Sequence, residues 1–287
     1  MIAPLTPEQW RSTGRMVRLA NRRVFVTECG AGPPVLALHG FPTASYDFSQ
    51  VVPLLARSFR LILVDYPGFG FSDKPASGAY SLAGYADVAQ ALLRELDLPQ
   101  VFVLAHDIGD SVALELLRRQ IPRIERLTLL NGSVISIPIA DPAMLLMQRM
   151  LLNPPLGAAM SKLRLFRRPI FARTFQKLFA RRLSAAELGA FWSLLRYNDG
   201  LAIYHRLIGY MLERRVQQER WLDALGRDSA ALTLIWGLAD PVAPPVIAER
   251  ILELRPDARA IRLPGVGHYP HWEAPSQVAD VVRAAFG

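Results

Sequence analysis

The stretch VFVLAHDIGDSVALELL, residues Val101 to Leu117, decides the fold of this chain. Its first part, Val101–His106, is a short apolar run of the kind that forms a buried strand. The part after Gly109 has the spacing of an amphipathic helix. A sharp turn lies between them, with Asp107 at its tip. The stretch therefore predicts a strand–turn–helix unit that presents a carboxylate at the end of a strand.

Strands and helices alternate on both sides of this unit. Before it, RMVRLA, RRVFVTE, PPVLALHG and RLILVDY have strand patterns. A helix is predicted from about Tyr46 to Ala56, and another has Ser81 as its N-cap. After it, the strands RLTLLNG, ALTLIWG and ARAIRLP alternate with helices Pro245–Leu254 and Pro275–Phe286. This alternation predicts an α/β fold with a mostly parallel eight-stranded sheet flanked by helices.

The alternation stops between Val134 and Arg220. This region has no strand pattern, is rich in Met, Leu, Phe and Arg, and has prolines at positions 138, 142, 154, 155 and 169. It predicts a helical lid, residues 134–220, inserted into an α/β core of residues 1–133 and 221–287. A lid above the carboxyl ends of the strands would close a cleft, where folds of this class bind ligands.

Composition limits the kind of protein this is. The 287 residues are 51% hydrophobic and 20% charged, which suits one large α/β core. The single cysteine, Cys29, allows no internal disulfide, and we expect no metal site and no cofactor. No apolar run is long enough to span a membrane, and the first residues lack a signal-peptide pattern. These features predict a cytoplasmic protein without a membrane partner.

Basic residues give the chain a formal net charge of +8, and many of them lie between Lys162 and Arg182. This segment is either an anion-binding face or the solvated surface of helices that pack their apolar residues inward. The helical spacing of the apolar residues favours the second interpretation. No nucleic-acid-binding motif accompanies the charge, so we expect no nucleic-acid partner, while a homodimer stays possible. The apolar residues are Phe166, Ile170, Phe171, Phe175, Leu178 and Phe179.

Three polar residues each follow a predicted strand. Asp107 follows VFVLAH, Asp240 follows LIWGLA, and His268 follows the strand that ends in RLP. Each has an ordinary alternative, because the aspartates could cap helices and the histidine could be a hydrogen-bonded loop residue. Together they lie at strand ends in the order nucleophile, acid, base. This joint pattern predicts a catalytic triad.

The motifs around these residues resemble those of the α/β-hydrolase fold, in the branch that contains epoxide hydrolases and haloalkane dehalogenases. The resemblance covers nearly the whole chain, through LHGFPTASYDF, DYPGFGFSDKP, AHDIGDSVA, WGLADPV and GVGHYPHWEAP. The lid stretch YNDGLAIYHRLIGYMLERR, with HGFPTASYDF, is also similar to the mesoderm-specific transcript protein of the same branch. The resemblance implies that Asp107 is the nucleophile, where the common version of this turn has serine.

A carboxylate at this turn indicates which kind of carbon is attacked. Serine attacking a saturated carbon would form an ether, which the site could not hydrolyse, whereas a carboxylate forms an ester, which it can. A free aspartate has a pKa of about 4, so it is ionised at neutral pH without a base. We therefore expect a substrate with an electrophilic sp³ carbon, in an epoxide or a carbon–halogen bond.

Hydrolysis of that ester needs the other two members of the triad. His268, oriented by Asp240, would take a proton from the attacking water. The resemblance implies that the backbone N–H groups of Phe41 and Ile108 stabilise the oxyanion. It also implies a cis peptide bond between Phe41 and Pro42.

Two positions separate epoxides from halides. Haloalkane dehalogenases hold the halide with a Trp directly after the nucleophile and often an Asn after the HG pair, and fluoroacetate dehalogenases place Arg after the nucleophile. Here these positions are Ile108 and Phe41. The sequence therefore favours an epoxide hydrolase that acts on a small apolar epoxide and water. A haloalkane dehalogenase is the first alternative, and a non-catalytic lid-and-cleft binding protein is the second.

An epoxide hydrolase also needs an acid above the ring oxygen, which in that family is usually a pair of lid tyrosines. From Val134 to Arg196 the chain has no Tyr and no His, so the early member is missing. In the late lid, GLAIYHR places the acid at Tyr204 or His205, and Tyr197 could share a helix face with Tyr204. Ordinary lid packing is the alternative for each of the three.

Overall fold

A single eight-stranded sheet forms the centre of the molecule, whose computed structural model describes residues 5–132 and 134–287. Its strands are β1 (Gly14–Leu19), β2 (Arg22–Cys29), β3 (Pro34–Leu38), β4 (Arg60–Val64), β5 (Gln100–His106), β6 (Arg123–Leu130), β7 (Ala231–Gly237) and β8 (Arg259–Leu263). Their order across the sheet is β1, β2, β4, β3, β5, β6, β7, β8. β2 pairs antiparallel with β1 and β4, and the pairings from β4 to β8 are parallel. The predicted fold class is confirmed.

Helices flank the sheet. They are α1 (Pro7–Ser12), α2 (Val52–Leu55), α3 (Leu82–Glu95), α4 (Ile108–Arg119), α5 (Pro142–Leu152), α6 (Pro154–Lys162), α7 (Arg168–Gln176), α8 (Ala185–Arg196), α9 (Tyr204–Leu207), α10 (Tyr210–Arg227), α11 (Val246–Leu254), α12 (Pro270–Glu273) and α13 (Pro275–Phe286). The predicted N-cap of α3 is confirmed, because Ser81 Oγ accepts a hydrogen bond from Gly84 N at 3.0 Å.

The helix predicted from about residue 46 to residue 56 is divided into two pieces. A 3₁₀ helix covers Ser45–Gln50, and α2 follows it after a break at Val51. Pro53 lies in the first turn of α2, where its missing N–H leaves no hydrogen bond unmade. Apolar spacing alone cannot distinguish such a division from one continuous helix.

The central parallel strands position the candidate site. β3 and β5 have few exposed residues, whereas β8 at the edge of the sheet is mostly half-exposed or exposed. Parallel strands end at the same edge of a sheet. The loops after β3, β5, β6, β7 and β8 are therefore neighbours, and each of them carries a polar group of the site described below.

Six helices, α5 to α10, lie between β6 and β7, where the sequence predicted a helical lid. Within its described residues this region contains no strand, and residue 133, the predicted boundary, lies outside them. The other predicted boundary, residue 220, falls inside α10, which continues to Arg227. The second half of α10 contacts α4, where Trp221 Nε1 donates a hydrogen bond to Glu115 Oε2 at 2.9 Å. No described helix is both long and apolar enough to cross a membrane.

Candidate active site

Asp107 occupies a strained turn between β5 and α4. Its backbone has φ 51° and ψ −111°, a conformation that residues other than glycine rarely adopt. The turn is tightly packed, since a Cβ on Gly109 would lie 2.2 Å from Leu38 O and one on Gly40 would lie 2.8 Å from Asp107 Cβ. The packing fixes a nearly buried carboxylate at the carboxyl edge of the sheet.

The loop after β3 places a backbone donor beside this carboxylate. Phe41 N donates a hydrogen bond to Asp107 Oδ2 at 2.8 Å, and the bond between Phe41 and Pro42 is cis, as the sequence predicted. Ile108 is the first residue of α4, and the N–H groups in the first turn of a helix have no partner within that helix. Both backbone groups expected at the oxyanion site therefore lie next to Asp107.

Asp240 and His268 form a hydrogen-bonded pair on the loops after β7 and β8. His268 Nδ1 lies 2.7 Å from Asp240 Oδ2, and both side chains are buried. Asp240 Oδ1 accepts hydrogen bonds from Val242 N at 2.7 Å and Ala243 N at 3.0 Å. Since Nδ1 faces Asp240, the second ring nitrogen, Nε2, is left for the cavity that His268 lines together with Asp107.

Asn131, directly after β6, holds the same aspartate from another side. Its Nδ2 donates hydrogen bonds to Asp240 Oδ2 at 2.7 Å and to Gly237 O at 3.1 Å, and its Oδ1 accepts one from Gly237 N at 2.7 Å. Asn131 has φ 40°, a left-handed conformation that Asn tolerates better than most residues. The sequence analysis did not single it out. Its signal was the one that identified Asp107, a polar residue directly after a buried strand.

Nearby carboxylates change the pKa of the histidine. Burial alone would lower the pKa of His268, but the charge and hydrogen bond of Asp240 raise it above its usual value. The charges of Asp107 and Asp47 add to this increase. An ester on Asp107 would remove one of these charges. The loss of that charge would lower the pKa of His268.

A second, fully buried histidine–carboxylate cluster lies behind the first. Asp47 Oδ2 accepts a hydrogen bond from Thr43 Oγ1 at 2.6 Å and lies 3.8 Å from His106 Nδ1. Asp47 Oδ1 lies 3.4 Å from His271 Nε2. His106 Nε2 lies 2.8 Å from His268 O, so the cluster also supports the loop that carries His268. Burial and the neighbouring His106 lower the pKa of His271 to about 4, so that ring is neutral at pH 7.

This second cluster has the spacing of metal ligands, which the sequence did not suggest, but its hydrogen bonds argue against a metal site. Asp47, His106 and His271 offer three ligand atoms within 4.8 Å of one another. A histidine that binds a metal normally donates its other ring N–H to a partner. Among the described residues, His271 Nδ1 has no such partner. The donor set therefore does not fit a well-oriented metal site.

A cavity of about 110 Å³ with a mostly apolar wall lies above Asp107. Its floor consists of Asp107, His268 and Phe41, and lid residues form its roof. Its volume is of the same order as that of an apolar cavity of about 150 Å³ that binds benzene, so it suits a small apolar molecule. Helix α5 contributes four of the roof side chains. The lid residues of the roof are Ile139, Met144, Met147, Gln148, Leu151, Phe166, Phe171, Thr174, Phe175, Leu178, Tyr204, Ile208, Tyr210 and Met211.

Two tyrosines of the roof reach this cavity, Tyr204 and Tyr210. The ring of Tyr204 lies 5.4 Å from that of Phe41 and is stacked on that of Phe166 at 4.8 Å, measured between centroids. The guanidinium of Arg214 lies 4.9 Å from the centre of the Tyr210 ring. Burial raises the pKa of both phenols. Both therefore keep their protons at neutral pH and can donate hydrogen bonds into the cavity.

His205 and Tyr197 do not line the cavity, which corrects two of the three sequence candidates for the ring-opening acid. His205 follows Tyr204 on α9 and points elsewhere, because neighbouring residues lie about 100° apart around a helix. Its Cβ lies against Gly157 of α6. Tyr197 packs on the core, where its ring centroid lies 5.1 Å from that of Phe71.

Comparison with known proteins agrees with this architecture. The sequence profile of the alpha/beta hydrolase fold matches residues 33–275. The chain belongs to the alpha/beta hydrolase fold family. It is 40% identical over 280 residues to LipZ of Mycobacterium tuberculosis, a protein named as a hydrolase, and the match covers 95% of each chain. It is 35% identical over 285 residues to the mesoderm-specific transcript homolog protein of Bos taurus, covering 93% of this chain and 83% of that protein.

Solved structures of this family share the fold at low sequence identity. A reconstructed ancestral haloalkane dehalogenase superposes with a TM-score of 0.82 at 23% identity, covering 94% of this chain and 97% of that one. The epoxide hydrolase CorEH superposes with a TM-score of 0.79 at 22% identity, covering 96% and 98%. Enzymes of both kinds therefore have this architecture, and the fold does not distinguish between them.

Of the two phenols that line the cavity, Tyr204 was a sequence candidate for the acid and Tyr210 was not. The family resemblance implied one acid in the early lid, where the chain has no tyrosine, and in the late lid the motif GLAIYHR favoured Tyr204 or His205 over Tyr210. Tyr210 instead begins α10, shortly after Tyr204. Ile208 and Gly209 interrupt the helix between α9 and α10, and both tyrosines line the same cavity.

Proposed function

We propose that the protein hydrolyses small apolar epoxides to vicinal diols through a covalent ester on Asp107. The observation that carries the proposal is a carboxylate at the tip of the strained turn, in one cavity with His268 and a roof that bears two phenols. A carboxylate suits attack on a saturated carbon, and the phenols suit an oxygen leaving group. The small, mostly apolar cavity suits a compact apolar substrate.

In the first half-reaction, a carboxylate oxygen of Asp107 attacks a ring carbon of the epoxide. The bond between that carbon and the ring oxygen breaks, and the oxygen takes a proton from Tyr204 or Tyr210. The product is a hydroxyalkyl ester of Asp107. No base is needed at this step, because a carboxylate nucleophile, unlike a serine hydroxyl, carries no proton that must be removed.

In the second half-reaction, water attacks the carbonyl carbon of the ester while His268 Nε2 accepts its proton. The N–H groups of Phe41 and Ile108 stabilise the oxyanion, and Asp240 stabilises the charged ring. The bond between the carbonyl carbon and the ester oxygen then breaks, the leaving oxygen takes the second proton of the attacking water, and the diol is released. Asp107 becomes a carboxylate again, with one oxygen from water, and the proton on His268 returns through solvent to the tyrosine.

Halide release is less well supported by the residues around the cavity. Ile108 and Phe41 offer no side-chain N–H where haloalkane dehalogenases have Trp and Asn. Among the described residues that line the cavity, only Gln148 and His268 have side-chain N–H groups. Gln148 Nε2 donates one of its two N–H groups to Met211 Sδ, and His268 is the proposed base. A leaving oxygen, in contrast, has two phenols available.

A single turnover in H₂¹⁸O tests the proposal. Styrene oxide is mixed with excess enzyme, and the diol and the peptide that contains Asp107 are analysed by mass spectrometry. We expect an unlabelled diol and one ¹⁸O atom in Asp107, because the ester route transfers an oxygen of Asp107 to the product. Label in the diol alone would mean that water opens the ring directly, and it would overturn the covalent route.

The two alternatives give different results in the same assay. A haloalkane dehalogenase releases bromide from 1-bromobutane and forms no diol from styrene oxide. A non-catalytic binding protein forms no product from either substrate. Diol formation with the label in Asp107 supports epoxide hydrolysis over both.

A further inference from the structure

The positive charge of the chain is concentrated in one part of the lid. Between residues 142 and 186 there are nine basic residues and no acidic one. The whole chain has a net charge of +8 from 33 basic and 25 acidic residues, so the remainder, with 24 basic and 25 acidic residues, is nearly neutral. The nine basic residues are Arg149, Lys162, Arg164, Arg167, Arg168, Arg173, Lys177, Arg181 and Arg182.

Most of this charge is not neutralised within the molecule. All nine side chains are exposed, and three form ion pairs: Arg164 with Asp199, Lys177 with Asp141, and Arg181 with Glu187. Ion pairs to the other six are absent among the described residues. Such a concentration of unpaired cations creates a positive potential and attracts an anionic surface.

Exposed apolar side chains lie among these cations. Residues 162–170, here named the basic lid segment, contain Leu163, Leu165 and Ile170, which are 65%, 44% and 39% exposed. Sequence spacing predicted that Ile170 would face inward, and this is wrong, although Phe166, Phe171, Phe175, Leu178 and Phe179 are buried as predicted. Leu146 and Leu156, on the two preceding helices, are also exposed. Single exposed apolar side chains are common on protein surfaces, but a group of them in one short segment is typical of a surface that contacts a membrane or a partner.

We propose that the basic lid segment docks on an anionic lipid bilayer. A bilayer surface accommodates both features of this segment, because its headgroups attract cations and the acyl boundary takes up exposed leucines. Nucleic acid would use only the cations, since a phosphate backbone offers no apolar layer. This proposal replaces the expectation, drawn from the sequence, that the chain has no membrane partner.

The basic lid segment also connects the surface to the cavity. Phe166 lies between the exposed Leu165 and the exposed Arg167, yet its own ring is buried, lines the cavity and stacks on Tyr204. A segment drawn into a bilayer would therefore carry a wall of the cavity with it. This arrangement suits an apolar substrate that partitions into the bilayer and enters the cavity from there.

Co-sedimentation of the whole protein with lipid vesicles tests the proposal. The vesicles contain phosphatidylcholine alone or phosphatidylcholine with phosphatidylglycerol. We expect binding to the anionic vesicles at least tenfold stronger than to the neutral ones, and weaker at high salt, because each cation near an anionic surface contributes about fivefold to binding. No preference for the anionic vesicles would overturn the proposal.

Two variants of the basic lid segment separate its two components. Replacing Lys162, Arg164, Arg167 and Arg168 by Gln removes charge, and we expect at least a tenfold loss of vesicle binding. The double variant Leu163→Ser/Leu165→Ser keeps the charge and removes the apolar contact, and we expect a severalfold loss. All six side chains are exposed, so both variants should fold.

A matched control removes equal charge elsewhere. Arg57, Arg94, Arg123 and Arg259 are exposed residues of the core, and replacing all four by Gln should change vesicle binding less than twofold. Equal losses in the two charge variants would show that overall charge, not the basic lid segment, drives binding. Binding of the Leu163→Ser/Leu165→Ser variant to random-sequence duplex DNA gives the second control. If the parent binds DNA tightly and this variant loses neither DNA binding nor vesicle binding, the segment is a polyanion site, which contradicts the bilayer proposal.

Insertion can be measured directly with a Leu163→Trp variant. After subtraction of the parent spectrum, we expect a blue shift of its fluorescence on anionic vesicles and none on DNA. An unshifted spectrum on bound vesicles would show that the leucines stay outside the bilayer, which contradicts the proposal. These measurements use no substrate, so their outcome is independent of epoxide hydrolysis.

Discussion

The floor and the roof of the cavity are built from different kinds of contact. On the floor, the carboxylate of Asp240 is fixed by several hydrogen bonds at once. It accepts them from the Asn131 side chain and from Val242 N and Ala243 N, and it contacts His268. On the roof, Tyr204 packs against the rings of Phe41 and Phe166, and three flexible methionines line the same cavity. Hydrogen bonds fix direction, whereas apolar packing fixes mainly volume. We infer that the floor fixes the geometry of the nucleophile and the base, whereas the roof sets the size of the substrate and provides the proposed ring-opening phenols.

The most severe test of the floor is Asp107→Asn. The amide keeps the shape but cannot attack the epoxide, so diol formation should fall by roughly 10⁴-fold or more. The matched control is Asp110→Asn. Asp110 is buried in α4 and does not line the cavity, and burial and the charge of Asp107 raise its pKa above the usual value, so the substitution should change activity little. Repeated turnover by Asp107→Asn would contradict its assignment as nucleophile.

Replacement of His268 by Ala should separate the two half-reactions. The ester still forms, but its hydrolysis loses the base and should slow by about 10²–10⁴-fold. Intact-protein mass spectrometry after mixing with styrene oxide should then show one substrate mass added per chain. If the variant slows ester formation and hydrolysis equally, His268 does not act in the second step alone.

The roof is tested by Tyr204→Phe and Tyr210→Phe. Each variant removes one donor to the leaving oxygen, and we expect ester formation to slow by about 10–100-fold, with the double variant slower still. Hydrolysis of the ester should be unchanged, because the leaving oxygen is protonated before that step. Tyr197→Phe and His205→Ala are the controls, since both residues lie outside the cavity, and they should remain within twofold of the parent. If a control variant slowed ester formation more than twofold, that residue would again be a candidate for the ring-opening acid.

The smallest expected effect concerns the cluster behind the floor. Ester hydrolysis requires a neutral His268, so its rate should fall as the pH drops below the pKa of this ring in the ester form. Asp47 is one of the charges that raise this pKa, and Asp47→Asn should lower it. The acid limb of the rate should then shift to lower pH by a fraction of a unit, with the plateau unchanged. A shift toward higher pH, in single-turnover measurements of ester hydrolysis, would show that Asp47 acts in another way.

The floor could be predicted in large part because its signals are local. Asp107, Asp240 and His268 each follow a strand pattern, and parallel strands end at one edge of a sheet. These two facts bring distant positions of the chain together without knowledge of side-chain packing. Asn131 escaped notice because an amide after a strand is common and carries no reactive group of its own.

The roof could not be predicted in the same way. The spacing of Tyr197 and Tyr204 places them on one face only if the helix between them is continuous. Asn198 and Asp199 have φ values of 51° and 57°, and these left-handed residues break the helical phase. Apolar spacing in the lid likewise predicted which side of a helix is buried for its phenylalanines but failed at Ile170.

By itself the sequence determined the α/β sheet, the strained turn and the positions of the three residues proposed as a triad. It could do so because the apolar spacing of strands and helices is a local pattern. Parallel strands also end at one edge of the sheet, wherever they lie in the chain. Only the tertiary structure decided which lid side chains reach the cavity, how small that cavity is, and which apolar residues stay in solvent among the cations. Those properties depend on how separate helices pack across long distances in the chain, and no local pattern encodes such packing.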